Sequence, residues 1–348
     1  MKNERNYYLD IVKFIASFFV VCIHIPLFGG RFGIAVNAIA RFAVPTFFAI
    51  SGYFSLNADT NIIKRRTVKL LKMYLLSTAI YLAYNLALHI RADGITAIID
   101  YPLELFLNIE NIAKFTLFNL PFSSVHLWFL LAMIYVYLIW TVILKYSLSD
   151  KVLLLIASVC LALNLFLGEF LSIFGINISD FYLRNFALMG LPFFIIGYLI
   201  KKHSDIFDKI KLPCLIAGMI LGSCEAVLSR FLIGLNDLHI GSVLCCISIM
   251  ILADRIRINK LSRTHLAILH SSTDIYVFHI LFGAILNVII SAVFPSDIAV
   301  VLNTLMPFWA FASCIVFYLL RSYTAAYIKS KQAKTQSQTN CNSNSTNV

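Results

Sequence analysis

The chain has few charged residues. They make up 13% of its 348 residues, whereas soluble domains contain roughly 25%. Hydrophobic residues account for 60% of the chain, a balance that excludes a soluble globular protein. The apolar residues lie in repeated runs of about 20, which is the length of a membrane-spanning helix and too long for the short alternating strands of a β-barrel.

The chain also lacks the cysteine spacings of a metal site or a disulfide framework. Of its eight cysteines, seven lie within apolar runs and Cys341 lies in a polar stretch near the C-terminus. Buried cysteines usually act as small hydrophobic residues, so we expect no metal and no structural disulfide. The net charge of +11 comes from Lys and Arg that are scattered over loops without a binding motif. Nucleic acid is therefore not expected as a partner.

Ten apolar segments dominate the sequence, and they predict an all-α fold: a polytopic membrane helix bundle of about ten transmembrane helices. If the N-terminus lies inside, only Arg31, Arg91, Lys114 and Arg184 fall in outside loops. Since Lys and Arg concentrate on the inner side, both termini are predicted to be cytoplasmic. The predicted spans are 8–28, 36–56, 67–90, 124–144, 151–171, 184–201, 212–233, 240–258, 266–292 and 296–321.

The composition predicts one membrane domain, 1–328, followed by a disordered polar cytoplasmic tail, 329–348. The outside loop 91–123 contains apolar stretches and is expected to form an interfacial or re-entrant helix. The first span holds an internal charge, and its flanks lack a cleavage pattern of small residues. We therefore expect a retained helix rather than a signal peptide.

Lys13 and His24 are the most informative residues, because ionisable side chains within a span are costly and usually functional. Their separation of eleven residues places them on one side of a helix, roughly 16 Å apart along its axis. Lys13 would lie near the inner surface, either facing donor phosphates or reaching the surface beside Asp10. His24 would lie in the outer half, either as a general base for acyl transfer or as a histidine at the interface or bonded to a neighbouring helix.

Two further basic features accompany this helix. Arg41 lies in the second span, near Pro45, Gly52 and the hydroxyl of Ser51. It either stabilises an oxyanion or orients a sugar, or it contacts lipid headgroups. The basic cluster at the inner end of the third span either binds the phosphates of a donor such as coenzyme A or only sets the topology. Its candidate donor-binding residues are Lys64, Arg65, Arg66 and Lys69.

Three more side chains are candidates for the acceptor-substrate side. His126 and Trp128 open the fourth span at its outer end, and His279 lies midway along the ninth. A tryptophan in that position is typical of the aromatic belt. A mid-span histidine normally faces the bundle interior, so His279 is predicted to join the cavity of His24. Ser51 completes the candidates on this side.

These motifs, in this order, resemble the membrane acyltransferase-3 family. Lys13 and His24 match the R/K-x10-H signature of its first helix, and the likeness covers about 1–325. The chain is most similar to standalone members such as the enterobacterial common antigen O-acetyltransferase group. It lacks the hydrolase-like and racemase domains that some relatives carry. The matching segments are LDIVKFIASFFVVCIH, RFAVPTFFAISGY, RRTVKLLKMY, HLWFL, LPFFIIGY and STDIYVFH.

The resemblance implies transfer of an acyl group, usually acetyl, from cytoplasmic acyl-CoA to a hydroxyl of a cell-envelope glycan or lipid-linked saccharide. It places the protein in the bacterial plasma membrane, among membrane lipids. His24 takes the catalytic role, either as the base for the acceptor hydroxyl or as a brief carrier of the acyl group, while Arg41 matches the arginine of the second helix and Lys13 lies near the donor. Many relatives have Arg at the position of Lys13, and a lysine loses bidentate phosphate contact.

Two other classes remain open from the residues alone. A transporter or flippase would also contain many helices with a polar stripe, although no inverted repeat is visible in the sequence. A structural or partner-binding membrane protein would tolerate the loss of both His24 and Arg41.

Overall fold

The computed structural model describes residues 7–345 except 235, 257 and 259, and describes side chains as far as 332. Within this part of the chain the fold is helical, with no strand. One 3-10 turn, Val125–Leu127, and two π-helical segments, Phe166–Phe170 and Phe186–Gly190, join the α-helices. These are α1 (Tyr8–His24), α2 (Gly30–Ala40), α3 (Ala43–Tyr53), α4 (Thr60–Asp93), α5 (Ala97–Leu107), α6 (Ile109–Phe118), α7 (Trp128–Tyr146), α8 (Asp150–Leu165), α9 (Leu171–Ile173), α10 (Asp180–Leu183), α11 (Leu191–Lys202), α12 (Ser204–Phe207), α13 (Leu212–Leu232), α14 (Ile240–Arg255), α15 (Arg263–His270), α16 (Ser272–Val293), α17 (Ser296–Thr304) and α18 (Met306–Ser345).

The predicted polytopic helix bundle is confirmed. Seven helical segments in the described chain are long and apolar enough to cross a membrane. The other three predicted spans are also helical: α1 has 17 residues, α14 has 16, and α11 has 12 and continues from the π-helical segment Phe186–Gly190. The number of spans and the side on which the termini lie stay predictions.

The second predicted span is interrupted at the functional candidate Arg41. Two shorter helices, α2 and α3, meet around Arg41 and Phe42. Pro45 explains the break, because it lacks an N–H to donate to the carbonyl of Arg41 and its ring crowds that carbonyl. The arginine therefore sits at a helix junction, where its side chain can turn into the bundle.

The core around α3 and α11 depends on two glycines. A Cβ at Gly52 would overlap the carbonyl of Phe194, and one at Gly197 would overlap the carbonyl of Ala49. Glycine at these positions lets two helix backbones touch, which is how membrane helices gain close packing. This contact holds the Arg41 junction against the centre of the bundle.

Two predictions concern regions outside the bundle core: the outside loop 91–123 and the C-terminal tail. The outside loop 91–123 contains α5 and α6, with exposed apolar side chains such as Ile95, Leu107 and Ile109. Exposed apolar surface of this kind suits an interfacial position, which stays a prediction. After Pro307 no Gly or Pro interrupts α18, and the helix runs through the predicted tail boundary at 329 to Ser345. The division at that residue stays a prediction from composition.

Candidate active site

Three histidines from distant parts of the chain meet near one end of the bundle. His24 ends α1, where Ile25 turns extended and Pro26 follows, and its ring centre lies 5.2 Å from that of His279 on α16 and 6.1 Å from that of His126. The rings of His126 and His279 are 5.2 Å apart. The structure therefore brings His279 and His126 next to His24, while their membership of a substrate cavity stays a prediction.

The three histidines differ in access. His126 and His279 are buried, with 1% and 0% of their surface exposed. His24 is exposed. Within the described residues no hydrogen bond reaches either ring nitrogen of His24. A substrate can therefore approach His24, and the ring nitrogens of His24 are available to donate or accept a proton.

Hydrogen bonds fix the ring of His126. Its Nε2 lies 3.0 Å from the carbonyl oxygen of Val277, and its Nδ1 lies 2.7 Å from the hydroxyl oxygen of Ser124. A carbonyl can only accept, so Nε2 carries the proton and Nδ1 accepts from Ser124 in the neutral ring. The phenol of Tyr276 donates to the backbone carbonyl of His126 as well. His126 thus joins α16 to the start of α7.

Arg41 lies beside this cluster and is held by an acid from a distant loop. Its Nη1 donates to Asp237, which follows α13, and its Nη2 donates to Asn37 on α2 at 3.0 Å. The other oxygen of Asp237 lies 3.4 Å from Nε of Arg184, which follows α10. Asp237 and Arg41 are 6% and 8% exposed, respectively. The carboxylate is thus clamped between two guanidinium groups, the arrangement that a buried charge requires.

His24, Arg41, Arg184 and Asp237 line one open cavity, with about 350 Å³ of space that includes the solvent at its mouth, whereas His126 and His279 are not among its lining residues. Its polar lining contains a base, two cations and an acid, and its apolar lining includes the indole of Trp128. Asp180 lies nearby, where burial and the carboxylate of Asp237 raise its pKa, against the lowering effect of Arg184 and Arg41. The lining residues are Ile23, His24, Arg41, Val44, Pro45, Trp128, Arg184, Met189 and Asp237.

Of the predicted acceptor-side residues, Ser51 does not line this cavity. Its hydroxyl donates to the carbonyl of Phe47 at 2.9 Å, one turn earlier in its own helix. This is a common bond for serine within a helix, and it occupies the proton that a substrate contact would use. Trp128 lies on the cavity wall, packed against the ring of Phe48.

The predicted donor-side residues lie away from the cavity, around the end of α3. Lys13 is 4.0 Å from Asp10 and 5.0 Å from the ring centre of Phe54. Arg66 donates to the carbonyl of Phe54 at 3.0 Å and to the hydroxyl of Ser55 at 3.1 Å. The structure therefore brings Lys13 and Arg66 to the same residue. Lys64, Arg65 and Lys69 are exposed on α4.

Arg184 and Asp237 are cavity residues that the sequence reasoning missed. Arg184 was assigned only to an outside loop, and Asp237 was not singled out. One signal was available: Asn236, Asp237 and His239 crowd polar groups into a short loop between two apolar segments. Nothing in the spacing indicated that this loop folds back onto Arg41, which is 196 residues away.

A second polar cluster lies behind that loop. Glu169, in the π-helical segment Phe166–Phe170, accepts from the hydroxyl of Ser229 at 2.5 Å and from Nδ1 of His239 at 3.0 Å. Its second oxygen accepts from the backbone N–H of Ile240 at 2.9 Å. All three side chains are buried. The cluster therefore ties α13, the start of α14 and the π-helical segment together.

Three close histidines invite the question of a metal. Among the residues that the structure describes, no group of three His, Cys, Asp or Glu side chains has an arrangement that could hold a metal ion. The hydrogen bonds of His126 fit this finding, because they occupy both of its ring nitrogens.

Comparison with known proteins gives one match. A family model described as an acyltransferase domain, of the acyltransferase-3 type, matches residues 6–327. No curated protein and no solved structure matched the chain. Because the family match covers nearly the whole chain, the resemblance seen in the motifs is confirmed, and the protein belongs to the acyltransferase-3 family of acyltransferases.

Proposed function

We propose that this multi-pass membrane acyltransferase moves an acetyl group from cytoplasmic acetyl-CoA, or another acyl group from its acyl-CoA, to a hydroxyl of a cell-envelope glycan or lipid-linked saccharide. The membrane is the bacterial plasma membrane, with the acceptor side of the cavity outward. The observation that carries the proposal is the exposed His24, whose ring nitrogens receive no hydrogen bond from the described residues, in a cavity that also holds two arginines and an acid.

His24 acts as the general base. One ring nitrogen takes the proton of the acceptor hydroxyl while the oxygen attacks the thioester carbonyl. The carbon–sulfur bond then breaks, and the thiolate of coenzyme A takes the proton back from His24. The products are the O-acyl ester and free coenzyme A. This step needs a neutral imidazole with access to substrate, which is the state that the exposed ring of His24 supports.

Arg41 and Arg184 share the stabilisation of the oxyanion. Nη1 of Arg41 already donates to Asp237 and its Nη2 donates to Asn37, while its Nε has no hydrogen-bond partner among the described residues. Arg184 faces Asp237 with Nε alone, and its side chain is 20% exposed. Its Nη groups therefore offer N–H donors where negative charge develops on the thioester oxygen. Arg41 mainly holds Asp237 in place.

The acceptor saccharide binds against Trp128 and Asp237. The Oδ2 oxygen of Asp237 is buried without a hydrogen bond in the described part of the chain, although Arg184 is near. Such an oxygen is a good acceptor for a sugar hydroxyl, because a buried carboxylate oxygen gains from each donor that reaches it. The indole of Trp128 supplies an apolar wall for the sugar ring.

The donor binds at the opposite end of α1. Lys13 and Arg66 meet at Phe54, and Lys64, Arg65 and Lys69 are exposed on the neighbouring helix α4. Their charges suit the phosphates of coenzyme A. The roughly 16 Å rise from Lys13 to His24 is a span that an extended pantetheine arm would bridge.

The test uses purified protein in liposomes with radiolabelled acetyl-CoA and an envelope-glycan extract. Wild type should release coenzyme A and label the glycan. His24→Ala should lower labelling by at least about 1,000-fold, because it removes the base. His89→Ala is the matched control, since His89 is an exposed histidine on α4 paired with Asp93, and it should leave the rate unchanged.

Two results would contradict the proposal. Full labelling by a folded His24→Ala protein would remove His24 from the mechanism. Uptake or efflux of a solute by wild-type vesicles without consumption of acetyl-CoA would instead favour a transporter. Mass spectrometry of envelope glycans from a deletion strain then identifies the acceptor by the acetyl groups that it has lost.

A further inference from the structure

We propose that His279 is a positioning residue for His24: when the exposed ring of His24 turns toward it, Nε2 of His279 accepts a hydrogen bond from one ring nitrogen of His24 and so directs the lone pair of the other nitrogen at the acceptor hydroxyl. The inference rests on the proposed function of His24 as the general base. It assigns to His279 a task that differs from substrate contact, since its ring is fully buried.

The protonation state of His279 follows from its partners. Its Nδ1 lies 3.0 Å from the carbonyl oxygen of Ile275 and 2.9 Å from that of Tyr276, both one turn earlier on α16. Carbonyl oxygens only accept, so Nδ1 carries the proton and donates to them. In the neutral ring Nε2 therefore has a lone pair and no hydrogen. The backbone of α16 thus fixes His279 as an acceptor at Nε2.

Among the described residues, no donor group reaches this acceptor. Nε2 of His279 is buried and has no hydrogen-bond partner. A buried polar atom without a partner is uncommon and calls for an explanation. The imidazoles of His24 and His126 both have ring centres 5.2 Å from that of His279, so the candidate donor is a ring N–H.

His126 is excluded as that donor. Its single proton, on Nε2, is already given to the carbonyl of Val277, and its Nδ1 faces the hydroxyl of Ser124. His24 remains, with no hydrogen bond at either nitrogen in the described chain. Two imidazoles joined by a hydrogen bond of about 3 Å have ring centres roughly 5 Å apart. The rings of His24 and His279 stand at that separation, 5.2 Å, but no hydrogen bond joins them as they lie, so the ring of His24 has to turn to bring an N–H onto Nε2.

The pair accounts for the direction of proton flow. His24 donates one N–H to Nε2 of His279, so its second nitrogen must hold the lone pair that takes the hydroxyl proton. After that transfer His24 is an imidazolium, and its N–H bond to His279 becomes charge-assisted and stronger. The proton then leaves His24 for the thiolate of coenzyme A, while His279 keeps its own proton on the backbone carbonyls throughout.

Two substitutions of His279 separate positioning from simple anchoring. The amide of Asn reaches about as far as Nδ1 of histidine, and the amide of Gln reaches about as far as Nε2. His279→Asn therefore keeps the donor to the carbonyls of Ile275 and Tyr276 and removes the acceptor. His279→Gln keeps an acceptor toward His24 and loses the hydrogen bonds to the carbonyls of Ile275 and Tyr276.

The proposal predicts that Gln retains more activity than Asn. We expect kcat to fall on the order of 100-fold in His279→Asn and about 10-fold in His279→Gln. The KM for acetyl-CoA should stay unchanged in both, because His279 contacts neither donor nor acceptor. If His279 only anchors α16, the order reverses, and Asn is the more active variant. Equal activity of both variants and wild type also overturns the proposal.

The same preparations keep this inference separate from the proposed function. Wild type that consumes no acetyl-CoA, or a fully active His24→Ala, contradicts the function itself. An active wild type and an inactive His24→Ala, together with Asn at least as active as Gln, contradict only the role of His279. Thermal unfolding in detergent shows whether each variant is folded, and rates are compared per folded protein.

Discussion

Two histidine clusters in this protein use similar residue types in opposite ways. His24 stands in a cavity with both ring nitrogens without hydrogen bonds in the described chain, beside a buried acceptor on His279. The cluster of Glu169, Ser229 and His239 contains the residue types of a hydrolase triad, yet it is fully buried. The first cluster keeps proton-transfer groups accessible, and the second uses its groups to hold helices together.

Hydrogen-bond direction explains the difference. In a catalytic triad the serine donates to the histidine, and the acid holds the other side of the ring. Here the hydroxyl of Ser229 donates to Glu169 at 2.5 Å, and the N–H at Nδ1 of His239 is shared between the same carboxylate oxygen, at 3.0 Å, and the hydroxyl oxygen of Ser229, at 3.1 Å. An ionised carboxylate is only an acceptor, so both protons point at Glu169. Ser229 is therefore not activated as a nucleophile.

The buried cluster serves the cavity through its loop. His239 lies two residues after Asp237, and Glu169 also accepts the backbone N–H of Ile240. The segment that presents Asp237 to Arg41 is thereby fixed at its far end to the π-helical segment. Such segments place one extra residue in a helix and often re-aim a side chain at a functional site. Glu169 is aimed inward by this irregularity.

The largest expected effect on stability comes from Glu169→Ala. The change leaves three buried donors without their acceptor, and we expect a loss of about 3–5 kcal/mol in the free energy of unfolding. The measurement is Tm in detergent, together with the yield of folded protein. Glu110→Ala is the control, because that acid is exposed on α6 and pairs with Lys114 on the same helix. An unchanged Tm in Glu169→Ala would contradict the structural role of the cluster.

How far the sequence predicts this arrangement depends on the range of the interaction. Apolar runs of helical length predicted every long helix, because span length depends on local composition. His279 was expected in the cavity of His24 because a mid-span histidine avoids lipid. The ion pair between Arg41 and Asp237 was not predictable, since it joins residues 196 positions apart through a loop with no periodic pattern.

The helix break at Arg41 shows that the sequence of a single span also limits what can be predicted. The sequence places Pro45 close after Arg41 in the second span, yet it does not show that the helix is interrupted at Arg41. That outcome depends on the contact of Gly52 and Gly197 with the opposite backbones, which fixes α3 against α11. Packing partners of this kind are not encoded in a single span.

A smaller effect, on activity rather than stability, is expected for Asp237→Asn. Asn keeps the size of the side chain but removes the charge that holds Arg41 and Arg184. Since a hydrogen bond to a charged group contributes about 1.5–3 kcal/mol, kcat/KM for the acceptor should fall about 10- to 100-fold. Steady-state kinetics with varied acceptor at fixed acetyl-CoA measures this loss.

Asp180→Asn is the matched control for that substitution. Burial and the nearby carboxylate of Asp237 raise the pKa of Asp180, so a neutral amide removes a charge that these surroundings disfavour. We expect a change of less than about threefold, within the range of substitutions that break no essential pair. An equal loss in both variants would mean that the cavity responds to any change of acid, and would remove the specific role of Asp237.

Ser229→Ala should have the smallest effect, and it tests the comparison most directly. The hydroxyl gives its proton to Glu169 and lies in a closed interior. Its removal should therefore cost about 1 kcal/mol of stability and leave kcat within about twofold. If Ser229 were a nucleophile, folded Ser229→Ala would lose turnover, and mass spectrometry of wild type quenched with acetyl-CoA would find acetyl on Ser229. If turnover is kept and no acetyl is found on Ser229, then His24 is the histidine that meets substrate, and Glu169 is the acid that holds the loop of Asp237. The two clusters then differ in their access to substrate and in the direction of their hydrogen bonds.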